Sequence, residues 1–380
     1  MMSRQLLKLR EYVESTRSAG REIGRKIDAN PNHFQETKSY PLVEQINRLG
    51  LPKEYNPYPI VLEDGEEIHE LSVEQRCVFY EALAYVEPNL IFACPTPGMA
   101  GFVVQGMGNE QQKERFLGRF RDQLSWSCFA MSEPKVGSDA GNLTTTAKKV
   151  SGGYLLNGEK FFIGNGINAD IGVVFAKTNP SPIGTDVFLF EPKQLDGLTR
   201  QRIPVHGTPG CNISHLVFEN AFLPDHSLLG SHLKPTQRFS GAALTTFDSL
   251  RPCVGGLSLG AARALLEHSE TTQLIDRHLH QKWLHRAHLE LESSLQYLLS
   301  ISRRYDQGHM MTKQIGLAKT KAVQTAETVC DGLLHKLEPG ALVSDPLLSK
   351  LYRDIKCFEY AEGTRNIHLL NGASLFKEAI

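Results

Sequence analysis

Few residues in this chain combine the type and spacing that chemistry needs. His278, His285 and His288 recur at intervals that place them on one helical face, an arrangement able to hold a metal ion. Their segment is rich in Lys, Arg and Glu, which reads as a solvent-facing surface, so no metal site is expected. The seven cysteines are odd in number and include no C-x-x-C pair, the usage of buried, reduced thiols. No glycine-rich dinucleotide fingerprint follows a strand, so a Rossmann domain is not expected. The densest run of unusual residues is Trp126 to Thr178. It opens on the apolar stretch Trp126–Met131 and breaks at Ser132-Glu133-Pro134 and again at Gly137-Ser138-Asp139. Thr144–Val150 is β-prone, Ser151-Gly152-Gly153 reads as a turn and Tyr154–Leu156 as a strand. Asn157-Gly158 is a strong signal for a type I′ hairpin turn, because both central residues of that turn need positive φ. Phe161–Ile163 and Ile171–Ala176 are further strands, separated by Gly164-Asn165-Gly166.

Met131-Ser132-Glu133-Pro134, Gly137-Ser138-Asp139, Leu156-Asn157-Gly158-Glu159-Lys160 with Ile163, Asn165-Gly166 and Ala169-Asp170 follow in an order that resembles the signature of the acyl-CoA dehydrogenase family. Hairpin chemistry alone does not explain the Glu-Pro and Gly-Ser-Asp elements. The resemblance implies bound FAD. Backbone groups of Phe129 to Ser132, Met131 included, would contact the flavin, and the Ser138 hydroxyl would meet a phosphate and line the substrate site. Phe162, Ile163 and Gly164 would lie against the isoalloxazine. Near the C-terminus, Lys350-Leu351-Tyr352-Arg353-Asp354-Ile355-Lys356 and then Ala361-Glu362-Gly363-Thr364 resemble the family's R-D-x-K followed by E-G-T. By that match Glu362 removes the proton alpha to an acyl thioester while flavin N5 takes a hydride from the beta carbon. Such a base must be desolvated so that its pKa rises toward neutrality. Gly363 would let the chain turn close to the substrate, and Thr364 and Asn366 would join the flavin contacts. Asp248 and Arg251, in Phe247-Asp248-Ser249-Leu250-Arg251-Pro252, match positions lining the substrate site. Some relatives carry the base just before that arginine; here the residue is Leu250, which leaves Glu362.

Three departures from the family pattern stand out. Gly164 replaces a Thr or Ser whose hydroxyl contacts the flavin, as it does in some oxidases of the fold. Arg277-His278-Leu279-His280-Gln281 keeps only Arg277 of an R-x-x-F-G element that binds the flavin diphosphate across a subunit interface. Leu337-Glu338-Pro339-Gly340 stands where a G-G-x-G loop meets the adenosine end.

These residues need elements to position them. Residues 1 to 122 read as helical: Leu6, Leu9, Tyr12 and Val13 recur at helical spacing, Ser72 and Gln75 form a capping box, and Asn109 is the next cap. Residues 34 to 65, with four prolines, read as loops and short helices. A β unit runs from 123 to 235 through Val187–Phe190 and Val217–Ala221. From 236 to 380 four apolar patterns, beginning at Leu257, Leu284, Ile315 and Leu348, argue a helix bundle. The resemblance implies the same α+β order: an N-terminal helical domain, a central β-domain and a C-terminal four-helix bundle.

Lys plus Arg number 41 against 42 Asp plus Glu, a formal net charge of −1, which gives no global pull toward nucleic acid or membrane. No apolar run reaches the roughly 18 residues a membrane span needs, and the N-terminus reads as an amphipathic helix rather than a signal peptide. A cytoplasmic protein with neither nucleic-acid nor membrane partner is expected. The function the resemblance implies is FAD-dependent α,β-dehydrogenation of an acyl group carried on CoA or on a carrier protein. Electrons would pass to an electron-transfer flavoprotein or to O2, in a homodimer or homotetramer. The alternatives are an oxidase-like enzyme using O2, or a flavin monooxygenase or binding protein of the same fold. Glu362 argues against the monooxygenases.

Overall fold

The computed structural model describes residues 2–137, 142–181, 184–234 and 240–377. Two amphipathic helices, α1 (Arg4–Glu14) and α2 (Arg17–Ala29), open the chain and bury Leu6, Leu9, Val13, Ile23 and Ile27. The segment expected to hold only loops and short helices also forms a two-stranded antiparallel ribbon, β1 (Ile60–Val61) with β2 (Glu67–Ile68). Helix α3 (Val73–Val86) starts at the expected capping box: Gln75 donates its N–H to Ser72 Oγ at 3.2 Å, and Ser72 donates its own to Gln75 Oε1 at 2.9 Å. Helix α4 (Gly98–Met107) follows, then a helical run, Glu110 to Asp122, started by a second reciprocal box at Asn109 and Gln112.

The β region is one curled seven-stranded sheet. Its strands are β3 (Ser127–Ala130), β4 (Thr146–Val150), β5 (Gly153–Ile163), β6 (Ile171–Lys177), β7 (Thr185–Phe190), β8 (Leu198–Arg202) and β9 (Ser214–Pro224). The path runs β3-β6-β4-β5-β9-β8, with β7 on β6. Strand β6 is buried on both faces. Ile171, Val173 and Phe175 pack with Ala100, Val103 and Val104 of α4, while Val174 and Ala176 pack with Leu156, Phe188 and Phe218, the period-two alternation of a strand between two layers.

A hairpin turn forms at the expected Ser151-Gly152 but not at Asn157-Gly158. β4 and β5 join at Ser151-Gly152, where Gly152 has φ 77°, and β5 runs straight through Asn157-Gly158. That dipeptide marks a register shift against β9 instead. Asn157 spends its side chain across the strands, donating Nδ2–H to Asn220 Oδ1 (3.1 Å) and accepting the Asn220 N–H on Oδ1 (2.9 Å). Long-range pairing with β9 overrides the local turn preference, and the glycine serves a bulge.

The longer helices after the sheet are α5 (Ser240–Thr271), α6 (Gln281–Asp306), α7 (Thr312–Leu334), α8 (Pro346–Cys357) and α9 (Arg365–Lys377). At 32 residues α5 is about 48 Å long and lies against α3. Gly260 permits the close crossing, because a Cβ there would sit 1.9 Å from the Glu81 carbonyl oxygen. Beside that crossing Glu81 accepts hydrogen bonds from Arg10 (2.9 Å) and Arg263 (2.8 Å). Burial alone would raise the Glu81 carboxyl, but the two guanidiniums outweigh it and hold it below the usual range. Among the described residues no helix is long and apolar enough to cross a membrane.

The bulge yields a test. Gly158 has φ 137°, and a Cβ on it would lie 2.7 Å from Thr145 Cα. Gly158→Ala is expected to destabilise the protein by about 1–3 kcal/mol in a denaturant melt. Gly152→Ala meets no neighbour within 4 Å and bears only its positive-φ strain, about 1 kcal/mol. Equal, negligible shifts for both would refute this reading of the bulge.

Candidate active site

Helix α8 ends at Cys357, and the chain turns through 358–364 before α9 begins. Glu362 and Gly363 have φ 55° and 98°, two successive left-handed residues. A non-glycine residue held there is strained by about 1–2 kcal/mol, so neighbours must fix it. Two cations do so through the backbone. Lys319 of α7 donates Nζ–H to the carbonyls of Glu359 (3.1 Å) and Gly363 (2.9 Å), and Arg251 of α5 donates Nε–H to the Glu362 carbonyl (3.3 Å). The turn is pinned on both sides through its backbone, while Glu362 Oε2 is buried and has no hydrogen-bond partner among the described residues. Burial raises the Glu362 carboxyl to about 7, against the opposing charges of Arg251 and Lys319.

Asp248 sits one helical turn before Arg251 and pairs with it at 3.3 Å, while accepting a hydrogen bond from Thr312 Oγ1 at the start of α7. Burial raises Asp248 from its ordinary value, against Thr312 and Arg251. The Arg251 guanidinium lies 5.1 Å over the Phe247 ring, and Phe247 meets Phe129 of β3 edge-on at 6.2 Å. Asp248, Arg251, Glu362 and Gly363 therefore form one cluster, and Phe129 connects it to the sheet. An open cleft of about 420 Å³ lined by Arg251, Thr312, Lys313, Gly316, His368, Leu370 and Asn371 lies beside it.

The sheet residues gather at the ends of β3 and β5. Met131 is buried, and its carbonyl accepts Lys160 Nζ–H at 3.0 Å; Ser132 accepts the Phe161 N–H at 2.8 Å. Ile163 is buried at the end of β5. Lys160 is fully buried and pairs with Glu133 at 2.8 Å. Phe162 is 64% exposed with φ 59°, an aromatic ring held in a strained backbone and turned outward, where a planar ligand would cover it. Gly164 is exposed, and a Cβ there would meet only the Cys211 carbonyl at 3.8 Å, so space remains beside the ring. Ser138 lies outside the described residues.

Other predicted residues stand apart from this cluster. Arg277 is exposed in the turn before α6 and pairs with Glu270 at 3.1 Å; His288 meets the same carboxylate at 2.6 Å. His278 lies in that turn rather than on α6, so the three histidines do not share one helix face. Among the described residues no group of three or more His, Cys, Asp or Glu could hold a metal ion. Thr364 is half-buried and accepts the His368 N–H at 3.2 Å; Asn366 is exposed at the start of α9.

Sequence reasoning missed Lys319 and His368. Lys319 sits inside the apolar pattern Ile315, Ala318, Ala322, Ala326, and a lysine on the buried stripe of a helix was the available signal. His368 is 2% exposed with Nε2 unpartnered. Burial and the nearby charges of Arg251 and Lys319 lower it to about 4, so it is neutral near pH 7 and backs the turn against Gly316 of α7.

Comparison with known proteins matches this architecture. The family model described as acyl-CoA dehydrogenase, middle domain, matches residues 128–221, and the C-terminal domain model matches residues 240–374. Isovaleryl-CoA dehydrogenase of Solanum tuberosum is 27% identical over 93% of this chain and 86% of its own length. In the match to its Pongo abelii counterpart, 28% identical over 69% of this chain, the chain spans 64% of that protein's length. Among solved structures, PigA with FAD and proline superposes with a TM-score of 0.83 at 20% identity, covering 100% of this chain and 99% of PigA. The prolyl acyl carrier protein oxidase AnaB superposes at 0.81 and 22% identity, covering 99% and 100%. The fold, the two matched domains and these relatives agree: the chain belongs to the acyl-CoA dehydrogenase family.

Proposed function

We propose that the chain catalyses the FAD-dependent α,β-dehydrogenation of an acyl thioester, with Glu362 as the base for the α proton. The observation that carries this reading is the half-buried Glu362, whose Oε2 is buried without a hydrogen-bond partner among the described residues and whose carboxyl desolvation raises to about 7. A carboxylate solvated by water or tied in an ion pair is too weak a base for a C–H proton, whereas a desolvated one gains basicity.

The exposed Phe162 ring, the open space at Gly164 and the Phe129–Ser132 segment suit a planar flavin. We assign Phe129, Met131, Ser132, Phe162, Ile163, Gly164, Thr364 and Asn366 to holding it, with Ser138 at a phosphate. Arg277 is engaged with Glu270 and would have to exchange that partner to reach a diphosphate. When bound, the flavin supplies the acceptor for the hydride that leaves the beta carbon. The chain's own residues supply the rest. Oε2 of Glu362 offers a free lone pair to the α proton. Lys319 and Arg251 hold the turn, so the carboxylate needs no reorganisation, and their charges oppose the rise that burial imposes, which leaves a substantial ionised fraction near pH 7. The Glu362 backbone N–H is assigned to the thioester carbonyl, whose oxygen gains charge as the proton leaves. CoA and carrier proteins present the acyl group on the same pantetheine arm, and this reading covers both. Reduced flavin would pass its electrons to a flavoprotein partner or to O2.

Glu362→Gln keeps the shape and removes the basicity. Flavin reduction by a productive acyl thioester in a single turnover is expected to slow about 10²–10⁴-fold with FAD still bound; an unchanged rate would mean another base. In the unaltered protein the rate should rise about tenfold per pH unit below about pH 7 and level off above it, because only the ionised form accepts the proton.

Lys319→Met should act on the same group from outside. Removing a positive charge raises the Glu362 pKa, so the pH midpoint of flavin reduction moves upward. The two carbonyls left without a donor should lower stability by about 1–3 kcal/mol. A midpoint that stays fixed or moves downward would show that Lys319 does not act on the base.

A further inference from the structure

A base that takes a proton must lose it again before the next turnover. In the proposed reaction Glu362 receives the α proton while its Oε2 is buried, on a turn held by Arg251 of α5 and Lys319 of α7. Substrate and flavin would cover the side on which the chemistry occurs, so the proton needs a way out through the protein. An opening lies beside the turn: the cleft of about 420 Å³ whose lining includes Arg251, Gly316 and His368.

His368 stands in the wall between the turn and that cleft. Its two ring nitrogens face two glycines. A Cβ on Gly363, the residue after the base, would lie 3.0 Å from Nε2, and a Cβ on Gly316, in the cleft lining, would lie 2.7 Å from Nδ1. Nε2 is buried and has no hydrogen-bond partner among the described residues, as is true of Glu362 Oε2. Two unpaired polar atoms on neighbouring groups call for a reason, because buried polar atoms are ordinarily satisfied. Burial first, then the charges of Arg251 and Lys319, lower the imidazole to about 4. The ring is therefore neutral near pH 7, with one nitrogen to accept a proton and one to donate. Arg251, which touches both the turn and the cleft, cannot give up its proton.

We propose that His368 relays the proton from Glu362 to the cleft and so returns the base to its ionised form between turnovers. This rests on the reading of Glu362 as the α-proton base. Nε2 takes up the proton released by Oε2, directly or through one water, while the N–H bond at Nδ1 breaks and its proton passes to water in the cleft. The net change is carboxylic acid plus water to carboxylate plus hydronium, with no electrons transferred, and exchange with water restores the first tautomer. From a carboxyl at about 7 to an imidazole at about 4 the transfer runs uphill by about 10³-fold. Set against a prefactor of about 6 × 10¹² s⁻¹, that penalty leaves the step far faster than turnover at about 1–10³ s⁻¹.

The test uses the full chain loaded with FAD, in D2O without an electron acceptor, and an acyl thioester that reduces its flavin. Return of the hydride regenerates the thioester. Mass spectrometry of the recovered thioester counts the deuterium gained at the α carbon, and stopped-flow absorbance gives the rate of flavin reduction. The unaltered protein is expected to introduce α deuterium. In His368→Phe the deuterium gained per reduction event should fall about 10²-fold or more. Gly316→Ala, which keeps the imidazole and crowds Nδ1, should lower it as well. In His368→Ala, imidazole added to the solution should enter the cleft and restore the exchange in proportion to its concentration, which a merely structural role would not produce. Exchange per reduction event that is unchanged in His368→Phe overturns the relay and leaves the Glu362 reading standing. If the His368 variants lose FAD, unchanged exchange in Gly316→Ala overturns it equally. If no thioester reduces the flavin of the unaltered protein, the Glu362 reading fails and the relay falls with it.

Discussion

The construction depends on one buried charge cluster at the meeting point of the helices and the sheet. Lys350 donates to Asp354 Oδ2 at 2.6 Å and to Glu87 Oε1. Asp354 also accepts Asn89 Nδ2–H at 3.1 Å and the Thr208 N–H at 2.5 Å, and Asn89 in turn accepts the Gly210 N–H at 2.8 Å. Glu87 ends α3, Asp354 belongs to α8, and residues 208–212 form a loop of the β region with two non-glycine residues at positive φ, Thr208 and Asn212. That loop carries Cys211, whose carbonyl accepts the Asn165 N–H at 2.8 Å, and so supports the turn that follows Phe162. The helix that leads to Glu362 and the strand end that carries Phe162 are thereby tied to the same side chains. Burial pushes Asp354 up against the pull of Lys350, with Glu87 adding to the push. Loss of one partner from such a group is far costlier than its net contribution, about 3–5 kcal/mol, which makes the cluster a device for registration more than for stability.

Glu362 is governed by a balance of the same kind with the opposite outcome. At Glu81 and Glu133 the donors win: two arginines hold the first down, and Lys160 with Thr144 brings the second to about 2 despite burial. At Glu362 the cations grip backbone carbonyls rather than the carboxylate, so burial wins and the group stays near neutrality. The left-handed turn at Glu362-Gly363 brings those carbonyls to Arg251 and Lys319 while leaving Oε2 without a partner.

Much of the architecture was legible beforehand because local signals and packing agreed. The Ser72–Gln75 box and the Asn109 cap start helices where they should, and the apolar patterns from Leu257, Leu284, Ile315 and Leu348 fall on α5 to α8. Where local and long-range demands differed, the sequence misled. Asn157-Gly158 carries strong turn chemistry, yet pairing with β9 turned it into a bulge. The ribbon at Ile60–Ile68 is too short for periodicity to register. Of the site, Asp248, Arg251, Glu362 and Gly363 were named from motif resemblance and converge in space. Lys319 and His368 were not named, because a buried Lys or His looks like any other until its surroundings are seen. Arg277 was read toward a ligand, while the structure gives it Glu270.

The central claim is that Glu362 is a carboxylate kept near neutrality by burial while its turn is clamped by two cations. Carbon-13 NMR titration of FAD-loaded protein labelled at the Glu side-chain carboxyls, with Glu362→Gln identifying the resonance, measures this directly. The account predicts a midpoint near 7 for Glu362. A midpoint at the ordinary glutamate value, about 4.3, would contradict it.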